Sequence, residues 1–261
     1  MKLALFLALA LALALAACGR SEQAVVEPPT QIEQPRTARL LDQAPEAIVG
    51  IVDSWSSTKA TLTRWRRTSG AWTKVGESWP AVVGRSGTAW GYGLHGNGAP
   101  GNVDGPVKRE GDGKTPAGVF ALGASFGYAT AAPTGSRLPY SSIDESWKCV
   151  DDPASKHYNR VLDQKSAPVV DWTSAEDMKR ADELYEWVVD VAHNTERIPR
   201  HGSCIFLHVW GGPESATVGC TAMAKPVLAE LIATLDPKAV FVLLPKAAYR
   251  TAALGWGLPP I

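Results

Sequence analysis

The chain carries no excess of either charge, since 26 Lys and Arg balance 26 Asp and Glu. It also has no run of five or more basic residues. Both absences argue against nucleic acid as a partner, because phosphate recognition needs concentrated positive charge. Cysteine is scarce at four residues, and no CxxC, HExxH or other ligand spacing is present, so neither a metal nor another cofactor is expected. Gly113-Lys114-Thr115 imitates the end of a phosphate loop. The first glycine of that pattern would fall at Lys108, and Pro116 would enter the first turn of the helix. No internal repeat is visible. One long apolar run exists, Leu3 to Ala17, and fifteen residues span about 22 Å as a helix, short of a bilayer core of roughly 30 Å. A permanent membrane span is therefore disfavoured.

That run, preceded by Lys2, reads instead as an export signal over residues 1–17. Leu15-Ala16-Ala17-Cys18 is similar to a bacterial lipobox, which implies lipidation at Cys18 and a membrane partner through that anchor. Gly19, rather than aspartate, follows Cys18 and implies sorting to the outer membrane. Residues 18–46 lack hydrophobic period and read as a flexible tether, leaving 47–261 as one domain large enough for a real core. Setting Cys18 aside leaves Cys149, Cys204 and Cys220, an odd number for an oxidising compartment. The economical pairing joins Cys149 to Cys204 and leaves Cys220 free; three unpaired thiols are the alternative, since spacing does not supply disulfide geometry.

Strand patterns predominate. Ile48–Val52 is one, and Thr61–Arg66 with Ala71–Val75 flank a Thr68-Ser69-Gly70 turn as a hairpin. Ala81–Val83, Val119–Leu122, Trp187–Val191, Cys204–Trp210 and Val240–Leu244 follow, with glycine-rich loops expected across 84–118. Ser174 with Met178, Ala181, Leu184 and Tyr185 predicts a helix, and Pro226 with Val227, Leu228, Leu231, Ile232 and Leu235 predicts another. The fold class is β-rich with two helices in the C-terminal half.

Chemistry concentrates at His208 and Cys220. In a strand ending at Trp210, His208 projects from the face opposite aliphatic Ile205, Leu207 and Val209. Cys220 follows Gly219, whose small size admits a substrate, and precedes the helix near Lys225. A helix N-terminus and an imidazole would each favour the thiolate, and N–H groups around Gly219 and Cys220 would bind an oxyanion. A thiol with a nearby imidazole can act as a covalent catalyst, although twelve-residue spacing also suits a buried, inert thiol.

Phe206-Leu207-His208, Val218-Gly219-Cys220, Thr115-Pro116-Ala117-Gly118-Val119-Phe120 and Cys149-Val150-Asp151-Asp152-Pro153 with Tyr158-Asn159 resemble the YkuD-type L,D-transpeptidase catalytic domain, in the branch with a shortened cysteine motif. The resemblance covers roughly 47–250. It implies a mostly β sandwich, peptidoglycan stem peptides as partners, and an acyl transfer in which Cys220 forms a thioester and His208 carries the proton. One departure stands out. Val218 occupies the place of the family's second motif histidine, and Thr221-Ala222 lacks its Arg or Asn. The acceptor therefore stays open, with L,D-carboxypeptidase or amidase hydrolysis and non-catalytic peptidoglycan binding as the rival readings.

Weaker site candidates are His193, expected beside His208 if its strand pairs there, His95 in a glycine-rich loop, and Thr217 in the cysteine loop. Structural roles are the competing reading for both histidines. Asp151-Asp152 reads chiefly as a turn that is also able to grip a cationic amine. Lys108, Arg109 and Lys114 read as loop residues able to meet substrate carboxylates, and His157 as a surface residue.

Overall fold

Ile48 and Val49 point to opposite sides of one strand, yet both are buried. Strands covered on both faces read as continuous apolar runs, which is why the alternating pattern is absent here. The computed structural model describes residues 39–101, 103–167 and 169–261. The run expected to be an export signal, Cys18 and most of the expected tether lie outside the described residues. Leu41, at the end of that tether, is buried and its N–H reaches Trp256 O at 2.9 Å, so packing begins before residue 47.

Strands β1 (Glu46–Val52), β2 (Lys59–Thr68) and β3 (Ala71–Val82) form an antiparallel meander around the predicted Ser69-Gly70 turn. The stretch expected to be loop contains β4 (Thr88–Trp90), β5 (Tyr92–Gly93) and β6 (Gly96–Asn97). It ends in β7 (Thr115–Gly127), which starts four residues earlier than the apolar pattern suggested. Glycines hid these strands because they sit where another segment of the chain comes close. A Cβ on Gly118, at φ 139°, would lie 2.0 Å from His95 Cε1.

After β8 (Tyr140–Ser142), a small separate sheet carries β9 (Trp147–Val150), β10 (Arg160–Asp163) and β11 (Ala175–Asp177) in the order β10-β9-β11. The helix expected from Ser174 is absent. Glu176 pairs with Cys149 in a β-ladder, and bends and turns follow to Glu186. Met178 and Tyr185 are buried in one cluster with Phe206 and Cys220. Tertiary burial thus explains an apolar spacing that mimicked a helical stripe.

The chain then forms β12 (Val188–Val191), β13 (Phe206–Val209), β14 (Thr221–Met223), α1 (Lys225–Thr234), β15 (Val240–Pro245) and α2 (Lys246–Trp256). The order β12-β13-β14-β3-β2-β1-β15-β7 closes on itself because β12 also pairs with β7. The β-rich class and the two C-terminal-half helices are present, the second helix being α2 rather than a segment after Ser174. Ile48, Phe120, Leu207, Val209 and Leu243 join Leu228 and Ile232 of α1 in one core. Val49, Val119, Val242 and Leu244 meet Tyr249 and Ala252 of α2 in another. Arg64, buried, reaches Glu46 Oε1 at 2.6 Å and Thr234 O at 2.7 Å, placing a cation on the C-terminal carbonyl of α1.

Candidate active site

Parallel pairing of β13 with β14 sets Leu207 beside Thr221 and His208 beside Ala222. One step back, Cys220 lies beside Phe206, whose N–H approaches the thiol at 3.4 Å. His208, Phe206 and Cys220 therefore occupy one face of two neighbouring strands. Ile205, Leu207 and Val209 point into the barrel core, as the alternation predicted. Cys204 departs from that strand, since its φ is 57°. His208 and Cys220 line one cavity of about 350 Å³, with Tyr185, Arg180, Trp210 and Val218 among its walls.

The imidazole is buried and its Nδ1 lies 2.7 Å from Val209 O. A carbonyl only accepts, so Nδ1 carries the hydrogen and Nε2 keeps its lone pair. Nε2 has no hydrogen-bond partner among the described residues. Burial pushes the ring pKa down to about 4, partly offset by backbone hydrogen bonding to Val209. At neutral pH the ring is an uncharged base.

Cys220 is also uncharged. Burial, followed by the Glu176 carboxylate, pushes its thiol up to about 12, against the weaker pull of Phe206 N–H and Tyr185. This corrects the expectation of a thiolate at a helix N-terminus. β14 intervenes between Cys220 and Lys225, so the first turn of α1 is roughly 16 Å along the chain.

The Cys220 peptide is clamped. Cys220 O accepts hydrogen bonds from Thr217 Oγ1 at 2.6 Å and Thr115 Oγ1 at 2.9 Å. Thr115 in turn accepts from Gly84 N at 2.8 Å. The Thr-Pro element thereby acts on the site through its threonine. Gly219 N–H is spent on Thr217 Oγ1 at 3.2 Å, so the oxyanion role expected of Gly219 needs that bond to yield.

His193 and His95 lie elsewhere. β12 pairs with β13 so that Val188, not His193, faces His208. His193 Nδ1 accepts from Tyr92 N at 3.2 Å and Nε2 donates to His201 O at 3.0 Å, which leaves neither nitrogen for substrate. His95 packs among Trp90, Phe120 and Trp256. β12 stops at Val191, so His193 lies beyond the strand pairing that would have set it beside His208.

Cys149 and Cys204 are disulfide-bonded, with Cα atoms 5.9 Å apart, and Cys220 is free. The bond ties the small sheet to the segment before β13, and Cys204 O lies 3.5 Å from the Cys220 sulfur. Asn159 Oδ1 accepts from Cys204 N at 3.0 Å while its Nδ2 donates to His193 O at 2.8 Å. Of the Asp151-Asp152 pair, Asp152 is a turn residue that accepts from Ala154 N and Thr173 N. Lys108 is buried rather than solvated and gives its ammonium to Asp112 at 2.5 Å.

Sequence reasoning passed over Glu176, Arg180 and Tyr185 as site residues. Tyr185 lies edge-on to His208 with ring centroids 5.0 Å apart, and its hydroxyl donates to Glu176 Oε1 at 2.7 Å. Of the three only Tyr185 belongs to the apolar spacing that predicts a helix; the β11 pairing places Glu176, and all three line the cavity that Cys220 lines.

The family model described as the L,D-transpeptidase catalytic domain (YkuD) matches residues 56–243. The chain belongs to that family. Its L,D-transpeptidase domain spans the match from just before β2 to within β15, so both His208 and Cys220 fall inside it. Neither the curated proteins nor the solved structures searched contain a match to the chain. Peptidoglycan is the substrate that membership in the family implies, and the bacterial cell envelope is where such enzymes generally act.

Proposed function

We propose that this L,D-transpeptidase domain transfers the acyl group of peptidoglycan stem peptides through a thioester on Cys220, with His208 as general base. The observation carrying this reading is the neutral His208, held by Val209 O, sharing one cavity with the only free thiol among the described residues. Cys220 sulfur attacks the amide between the third residue and the terminal D-alanine as its proton passes to His208 Nε2. His208 returns that proton to the nitrogen of D-alanine as the C–N bond breaks. A neutral pair suits this order, because the base needs no prior deprotonation at neutral pH. An acceptor amine then resolves the thioester.

Water as the acceptor is the second reading, giving carboxypeptidase or amidase activity. Val218, 65% exposed in place of the second motif histidine, favours it. Anchoring through Cys18, a tether from there to the packed domain, and an outer-membrane location complete the proposal on the strength of residues 15–19.

Intact mass after incubation with disaccharide-tetrapeptide and a D-amino acid tests the chemistry, with Cys220→Ala alongside. The expected result is an adduct lighter than the substrate by one D-alanine, absent from the variant. Turnover persisting in Cys220→Ala would overturn the mechanism. Sacculus binding without any adduct would leave a peptidoglycan-binding module.

A further inference from the structure

A cavity of about 500 Å³, larger than the one holding the thiol, opens beyond Phe206, and neither Cys220 nor His208 lines it. β12 pairs Asp190 with Phe206, and Phe206 stands beside Cys220. Asp190 is thus two strands, about 10 Å, from the reactive cysteine on the same sheet face. Phe126, Val161, Leu162 and Phe206 give the cavity apolar walls. Asp190 is the exception in that lining. It is part-buried and accepts no hydrogen bond from any described residue. Burial alone pushes its carboxyl up to about 6, with no cation opposing the shift. A Cβ at Gly123 would lie 2.6 Å from Asp190 Oδ2, and Gly123 has no positive φ, so this glycine leaves room for the carboxylate rather than for a turn. Most other polar groups of the wall are engaged. Asp163 accepts from Ser146, Lys165 N and Ser166, and Asn159 is committed to Cys204 N and His193 O. His157 packs edge-on to Trp172, and Arg160 is exposed and gives Asp190 no hydrogen bond.

A carboxylate with unfilled acceptor atoms on an apolar wall is matched by a donor that also brings positive charge. A metal ion would need further ligands, and among the described residues no three His, Cys, Asp or Glu are grouped to hold one. We infer that this cavity is a second, non-catalytic binding site for a primary ammonium on a short aliphatic chain, with Asp190 taking the charge and the apolar walls taking the methylenes. A lysine-type side chain, free or within a peptide, has that chemistry. Phe206 stands between the bound amine and Cys220, so the amine is held rather than consumed. The site gives the domain a grip on an amine-bearing ligand that does not depend on the thioester chemistry.

The test is an NMR titration of the folded protein with Nα-acetyl-lysine methylamide, beside the norleucine analogue, which lacks only the amine. Saturable shifts are expected at Phe126, Val161 and Phe206, with the norleucine analogue binding about tenfold or more weakly. Asp190→Asn should weaken the lysine probe by about the same factor. That variant should fold at least as stably, because a neutral amide is cheaper to bury than a carboxylate without a donor. Cys220→Ala should leave binding within about twofold. Free lysine as a second probe separates the two sources: tighter binding than the methylamide assigns the site to the free amino acid, and equal or weaker binding assigns it to peptides. Absence of binding, equal binding of the lysine and norleucine probes, or full binding in Asp190→Asn would overturn the inference. Shifts confined to His208 and Val218 would overturn it too, since the probe would then sit in the catalytic cavity. Probe binding in a protein that forms no thioester would leave the inference standing and remove only the acyl-transfer reading.

Discussion

His208 and His193 are both buried, and burial pushes both rings well below the ordinary histidine range, to about 4 and about 3. Their surroundings differ in one respect. His193 gives both ring nitrogens to backbone groups of Tyr92 and His201, so it joins two loops and moves no proton. His208 gives Nδ1 to Val209 O, and its ring lines a cavity shared with a thiol. Burial makes each ring neutral. What separates a histidine with both nitrogens bonded from a candidate base is the nitrogen left over.

The largest expected break in that comparison is His208→Gln, which should slow acylation by about 10²- to 10⁴-fold with the fold retained. Single-turnover D-alanine release with circular dichroism would check it, and a loss below tenfold would mean that another group takes the thiol proton. Next comes the disulfide, which braces the site against the small sheet. Replacing Cys149 and Cys204 together by Ser should cost about 4 kcal/mol for a link across 55 residues, read by denaturant unfolding.

His193→Leu should cost about 1–3 kcal/mol by stranding Tyr92 N–H and His201 O, while acylation per folded molecule stays within about threefold. A collapse of acylation at unchanged stability would break the distinction drawn here.

The smallest effects are those of pH. Acylation should climb as His208 loses its proton through about pH 4 and stay flat through neutrality, because the thiol titrates only near 12. A midpoint near 6.5 would instead indicate an imidazole with the ordinary histidine pKa. Stability moves in the same sense. Below about 6.5 the unfolded chain binds protons that buried His208 and His193 refuse, so stability falls with pH toward 4. Asp190, raised to about 6 by burial, binds a proton in the folded state and opposes part of that loss.

Much of the scaffold was legible from local pattern. The Ile48–Val52 and Val240–Leu244 runs, the Ser69-Gly70 turn and the Pro226 helix start depend on short-range sterics and burial, and each appears where expected. Glycine at 118 concealed the start of β7 because its reason is the approach of His95 from 23 positions away. The Ser174 helix failed for a similar cause: Glu176 finds its partner in Cys149, and no window around 174 contains that residue.

The sequence by itself determined the β-rich class, the identity of His208 and Cys220 as reactive types, and their placement on one strand face and one glycine loop. These follow from a two-residue period and from side-chain chemistry. Only the tertiary structure decided the ionisation of the pair, since burial outweighs any anion-stabilising neighbour and leaves a thiol beside a neutral imidazole. It also decided which carboxylate and which threonines stand against Cys220. Thr115 and Glu176 reach Cys220 from β7 and β11, across sequence distances that local pattern does not encode.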